Sequence, residues 1–250
     1  WLAYNWVDER FGIQAGQQAE VETLIAAAHR WHRQTQLPSY ADTLDAMADR
    51  YADGLSEADV SWLAERIERH RVAAVAEWVP RVAPFLADLA PRQIERFHER
   101  GLERIEEAAE PLALAPDERL DRRVDEVEEQ LERWLGDLSD EQTRYLREKL
   151  SKLGNFRARW VAHRRERLEE MTDLLSTADA AAIERQMLDW WIDLDTGYAP
   201  GYAEARRSAW QGFFALMVDF DARVSAQQRA RAMERMRRYA REFRLLAADD

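Results

Sequence analysis

The chain has 250 residues, a formal net charge of −12, ten Trp and no Cys. So acidic a chain lacks the dominant basic surface that general nucleic-acid binding or charge-driven adsorption to anionic lipid requires. Without Cys there is no disulfide, thiolate chemistry or Cys-ligated metal, and no apolar run approaches the ~18 residues that span a bilayer. A chain of this size buries roughly 70–75% of its extended surface, enough for a large core.

The opening segment WLAYNWVDERF is aromatic, and exposing Trp1, Tyr4 and Trp6 is costly, so they are expected to dock on the body. The chain starts at Trp1 without Met, consistent with a leader or anchor preceding it. From Gly16 to Tyr51 two amphipathic helices are predicted. Val21, Leu24, Ile25, Ala28, Trp31 and His32 form one stripe, and Tyr40, Leu44, Met47 and Tyr51 the next. Pro38 should stop or bend the first near Leu37, and Gly54 should end the second.

Further along, helices are predicted over 57–88, 92–113, 117–135, 140–173, 178–193, 203–220 and 226–247. Ser56, Ser139 and Ser225 read as N-caps, the last two with Gln142 and Gln228 completing capping boxes. Thr177 reads as another cap. Pro80 and Pro84 should kink the third helix, and Pro111 should end the fourth. Leu120, Val124, Val127, Leu131 and Trp134 form a coiled-coil-like seam. The stripe continues through Leu146, Leu150, Leu153, Trp160, Leu168 and Met171, and Gly136 turns the two helices into an antiparallel hairpin. No alternating β pattern appears. The fold class is all-α, an elongated bundle of antiparallel helices with kinked long members and no sheet. It forms one domain, divisible into subdomains 1–115 and 116–250.

Charge is segregated. Residues 99–141 carry 16 acidic against 6 basic side chains, residues 144–167 carry 9 basic against 2 acidic, and residues 223–244 carry 8 against 2. Either acidic and basic helices lie side by side, or a basic groove faces an anionic partner.

Catalytic and metal signatures are sparse. His29 and His32 have an i, i+3 metal spacing but no further ligand set. Glu95 and His98 form a lone E-x-x-H, where a di-iron bundle needs two. Asp193 to Glu204 resembles a Ca²⁺ loop, but Tyr198 occupies the position that demands Gly. No nucleophile elbow, HExxH, Walker or dinucleotide motif occurs. The reading is therefore non-catalytic, without metal or cofactor. The aromatic residues offer a binding surface instead. Trp31, His32, Tyr40, Trp190, Trp191, Tyr198 and Tyr202 are the candidate contacts for a protein client or partner. The alternative is a carrier of lipid or another apolar small molecule in a cavity between helices.

Three segments, LAYNWVDERFGI (Leu2–Ile13), WHRQTQLPSYADTL (Trp31–Leu44) and VSAQQRARAMERMRRYAREFRLLA (Val224–Ala247), resemble an uncharacterised family of Gram-negative envelope lipoproteins. That resemblance implies a lipidated Cys just before the present start, a periplasmic location with membrane contact only through the lipid, and no established activity. A weaker similarity links Leu138–Gln142 and Val224–Gln228 to the helix starts of Spy- and CpxP-type periplasmic chaperones, which implies client binding.

Overall fold

A computed structural model describes residues 2–192, 198 and 200–248, and among these every regular element is helical. The helices are α1 (Leu2–Phe11), α2 (Gln18–Trp31), α3 (Leu37–Arg50), α4 (Glu57–Ala87), α5 (Pro91–Ala109), α6 (Pro116–Leu135), α7 (Asp140–Lys152), α8 (Arg157–Thr177), α9 (Ala180–Ile192), α10 (Pro200–Asp221) and α11 (Ala226–Ala248).

Two compact units divide the chain, each assembled from three stretches where the sequence suggested one cut near residue 115. The first comprises Trp1–Trp31, His70–Glu110 and Phe156–Ala205, the second His32–Arg69, Pro111–Asn155 and Arg206–Asp250.

The first unit is built on Val21, Val79, Phe85, Leu86, Ile94, Met171, Leu175 and Ile183, all buried. Helix α1, which the sequence reading left without secondary structure, is fixed here by Phe11. Its ring stacks on Phe97 at 5.3 Å and meets the Phe85 edge at 6.2 Å. Tyr4 docks as expected, whereas Trp6 remains half exposed, covered by the Arg10 guanidinium at 3.7 Å. A cation over an indole face shields apolar area while keeping its own charge hydrated, so Trp6 need not enter the core. Trp1 lies outside the described residues. Helices α5 and α8 approach closely at Gly101, where an added Cβ would stand 2.5 Å from Leu168 Cδ1.

The second unit centres on Met47, Tyr51, Val124, Leu146, Leu150, Leu216 and Phe220. The seam of α6 lies on this core, and α7 returns antiparallel through Gly136 at φ 80°. Asp121 meets Arg147 and Glu128 meets Thr143, so rising numbers on one helix face falling numbers on the other. Leu146 and Leu150 are 0% and 1% exposed, each worth roughly 1.5–3 kcal/mol of apolar burial.

The single helix predicted over 140–173 is two helices. The chain leaves the α-helix at Leu153–Phe156, so Leu146 and Leu150 serve one unit while Leu168 and Met171 serve the other. Gly154 lies in this break, where its lack of a Cβ makes it about 1 kcal/mol less favourable than Ala to hold helical. Pro38 behaves as expected in a different form: a π-helical turn, His32–Gln36, precedes it and α3 begins at Leu37 with Pro38 in its first turn. Helix α4 continues through Pro80 and Pro84, and α5 ends before Pro111 in a 3₁₀ turn.

Helix starts carry most of the polar order. Ser139 Oγ accepts from the Gln142 amide at 3.3 Å while Gln142 Oε1 accepts from the Ser139 N–H at 2.9 Å. Ser225 and Gln228 repeat this at 3.2 and 3.0 Å. Thr177 is not a cap. It ends α8, its hydroxyl donating to the Asp173 carbonyl at 2.7 Å, and Asp179 caps α9 by accepting from Ala182 N–H at 2.8 Å.

Candidate functional site

The predicted contact residues separate into groups. Trp31 packs edge-on against Trp78 at 5.9 Å in the first unit. In the second unit His32 meets Tyr40 at 5.6 Å, and Tyr40 meets Phe243 at 6.2 Å. Phe243 stacks over Tyr239, which meets Trp134 edge-on at 5.8 Å, so these rings staple α3, α11 and α6. Burial raises the Tyr40 pKa, as it should for a phenol in such packing. Trp31 and His32 are neighbours in sequence but belong to different units.

Trp190 and Trp191 line the first unit's core, with Arg167 over the Trp190 ring at 4.2 Å. Arg71 fixes the end of α9, donating to the Trp191 carbonyl and, at 3.1 Å, to that of Ile192.

Tyr198 and Tyr202 do converge, around a residue that sequence reasoning missed. His163 stacks on Tyr202 at 4.1 Å with an interplanar angle of 22°, and meets Tyr198 edge-on at 4.7 Å. The tyrosines contact each other at 4.9 Å, and Phe156 tilts against Tyr202 at 5.4 Å. All four rings are half-buried. The signal existed in the sequence: Phe156, Trp160, His163 and Arg167 step by 4, 3 and 4 along one stripe of α8. Burial lowers the His163 pKa first and the Arg167 charge lowers it further, partly opposed by Glu166, with Arg164 adding a smaller lowering. The site thus favours the neutral ring, which can stack and both accept and donate a hydrogen bond.

At the other end of α8 an open groove of about 780 Å³ runs between the α4–α5 and α8–α9 corners. Leu89, Ile94 and Leu175 form its buried floor, and Arg92, Glu95, Ser176 and Asp179 its exposed rim. An apolar floor with a polar rim is the anatomy of a protein-binding patch. The groove hydroxyls of Thr172, Ser176 and Thr177 donate to carbonyls four residues back.

Among the described residues no three His, Asp or Glu side chains gather where a metal ion could bind. His29 and His32 are both exposed. Glu95 lies on the groove rim and His98 is half-buried. Residues 193–197 of the Ca²⁺-like loop lie outside the described residues.

An all-α protein of two helical units, with a cluster of half-buried aromatic rings on the first, is the class this fold defines. The chain belongs to a family of unknown function, DUF6279, which it matches over residues 10–203. That span contains the WHRQTQLPSYADTL segment whole, but not the closing basic helix. No curated protein and no solved structure matches the chain.

Proposed function

We propose that this protein is a non-catalytic binder of a polypeptide partner, and that the partner docks on the first unit along α8. The observation that carries this reading is the cluster of half-buried rings, Phe156, His163, Tyr198 and Tyr202, with the apolar-floored groove at the other end of the same helix. Rigid amphipathic rings give large contact area at low entropic cost, which is why they anchor protein interfaces. The groove has an open mouth and charged rim, which suits a surface ligand better than an enclosed lipid.

The setting we infer is the cell envelope, with a lipid tether ahead of Trp1. Support comes from the resemblance of Leu2–Ile13, Trp31–Leu44 and Val224–Ala247 to envelope lipoproteins. Among the described residues no helix is long and apolar enough to cross a membrane. Fractionation of cells making the full-length gene product tests this, and recovery in the cytoplasm contradicts it.

Native mass spectrometry after gentle purification separates the partner reading from the carrier reading. A polypeptide adduct lost on Tyr198→Ala/Tyr202→Ala substitution supports the former. A stoichiometric lipid adduct that survives those substitutions replaces it with the latter.

A further inference from the structure

We infer that the segment recognised along α8 is acidic; this rests on the partner-binding reading and specifies its chemistry. Several cations of two other basic helices are paired within the second unit. On α11, Arg237 meets Asp49 of α3 at 3.0 Å, and Arg244 meets Asp42 and Asp45 at 2.8 and 2.6 Å. On α7, Arg147 meets Asp121 of α6, and Lys149 meets Asp219 at 3.2 Å.

In the first turns of α8, Arg159 and Arg164 are exposed and, among the described residues, take part in no ion pair; they flank the ring stripe on its two sides. Arg164 is held over the Trp160 ring at 4.7 Å, so its guanidinium is positioned before any ligand arrives. Arg159 lies one turn before His163, beside the stripe that carries the ring cluster. Guanidinium groups match carboxylates in a two-pronged geometry. The adjoining rings give an apolar or aromatic side chain of the same ligand a surface to lie on.

The sign of the whole molecule narrows the ligand further. A net charge of −12 repels extended polyanions such as nucleic acid or an anionic bilayer at long range. A short acidic segment instead senses only the local field, which is screened over about 8 Å at physiological salt. A carboxylate-rich stretch of polypeptide therefore fits this patch better than a membrane sheet does.

The test is fluorescence anisotropy of the whole protein with a labelled hexapeptide of glutamate and tryptophan, against its lysine counterpart. The acidic peptide is expected to bind saturably and the basic one not. Affinity should fall about tenfold in R159E/R164E, less in the neutral R159Q/R164Q and little in R165E, which lies on the far side of the helix, and severalfold on raising salt from 0.05 to 0.3 M. Circular dichroism confirms that each variant is folded. Equal binding of the two peptides, or indifference to charge reversal, overturns the proposal. So does displacement of the peptide by phosphatidylglycerol vesicles, which would make the site a lipid surface contact. If a photo-crosslinker at position 202 captures a partner in cells while the peptide fails to bind, the partner reading stands and only its acidic chemistry falls.

Discussion

Gln142 and Gln228 exchange side-chain amide hydrogen bonds, Gln142 Nε2 donating to Gln228 Oε1 at 2.9 Å and Gln228 Nε2 donating to Gln142 Oε1 at 3.1 Å. Each Oε1 also accepts from its own N-cap amide, and each Nε2 reaches a carbonyl behind the other's helix, Arg223 for Gln142 and Asp137 for Gln228. Two capping boxes are thereby clasped into one network. The first unit contains the same device. Gln93 Nε2 donates to Gln17 Oε1 at 2.9 Å, Gln17 Nε2 returns a bond at 3.2 Å, and both Oε1 atoms cap their own helix starts at 3.1 Å. Each unit is thus pinned where two helix corners meet.

The clasp can be separated from the cap. Glutamate at position 142 keeps an oxygen for the Ser139 N–H but loses the Nε2 donor. Gln142→Glu should cost about 1–3 kcal/mol, the penalty for unmatched buried polar groups. Gln228→Glu should show coupling to it beyond about 0.5 kcal/mol in a double-mutant cycle. Urea unfolding checks this, and strictly additive losses would show that the glutamines act only as independent caps.

A second prediction concerns Asp221, which is 7% exposed. Its carboxylate accepts two bonds from Arg229, at 3.1 and 3.0 Å, and one from the Leu55 N–H at 2.9 Å. Burial, followed by the hydrogen bond to this carboxylate, raises the Tyr51 pKa far above its ordinary value. Arg229→Ala strands a buried charge and should lose about 3–5 kcal/mol. Arg229→Ala/Asp221→Asn should recover part of that, as read by denaturant midpoint.

Helix propensity alone says that Gly101→Ala stabilises α5 by about 1 kcal/mol. The new methyl would press on Leu168 Cδ1 and Cδ2 at 2.5 and 2.7 Å. Leu168 is buried in the first unit, so overpacking of about 1–3 kcal/mol should win. Gly101→Ala/Leu168→Val should be closer to wild type in thermal unfolding than either single substitution.

His163 provides a pH test with a defined sign. Its pKa is lowered in the folded state, so the folded protein favours the neutral ring. Its contribution to stability is complete above the unfolded imidazole pKa, near 6.5, and is lost as pH falls from there through the lower folded pKa. Asp59 acts in the same direction at lower pH. Its pKa is depressed by the Ser56 hydroxyl first and by the Arg50 ion pair at 3.0 Å, so its contribution is lost as the carboxylate protonates. NMR titration should place the His163 midpoint below 6.5, and a midpoint above it contradicts the buried ring geometry.

These relationships were unequally legible in the sequence. Stripes such as Leu120 to Trp134 gave the helices, because apolar periodicity survives any packing partner. Ser139 and Ser225 gave two capping boxes, but Gln17 and Gln93 went unread because Gln14 and Ala90 offer no serine hydroxyl to flag them. Leu153 masked the break before α8, since it continues the stripe up to the residue where the helix stops. Tyr198 and Tyr202 could be named as surface aromatics. Their meeting with Phe156 and His163 depends on the tertiary return of the chain. The segregated charge was read correctly as a pattern, yet the answer to α11 proved to be α3, whose Asp42, Asp45 and Asp49 sit outside the acidic stretch 99–141.

The account stands most directly on site-specific photo-crosslinking in living cells. A photoreactive residue replacing Tyr202 should trap one polypeptide reproducibly, and the same residue replacing the exposed Glu141 on α7 should not. Equal capture from both positions, or no polypeptide adduct from position 202, contradicts binding on this face.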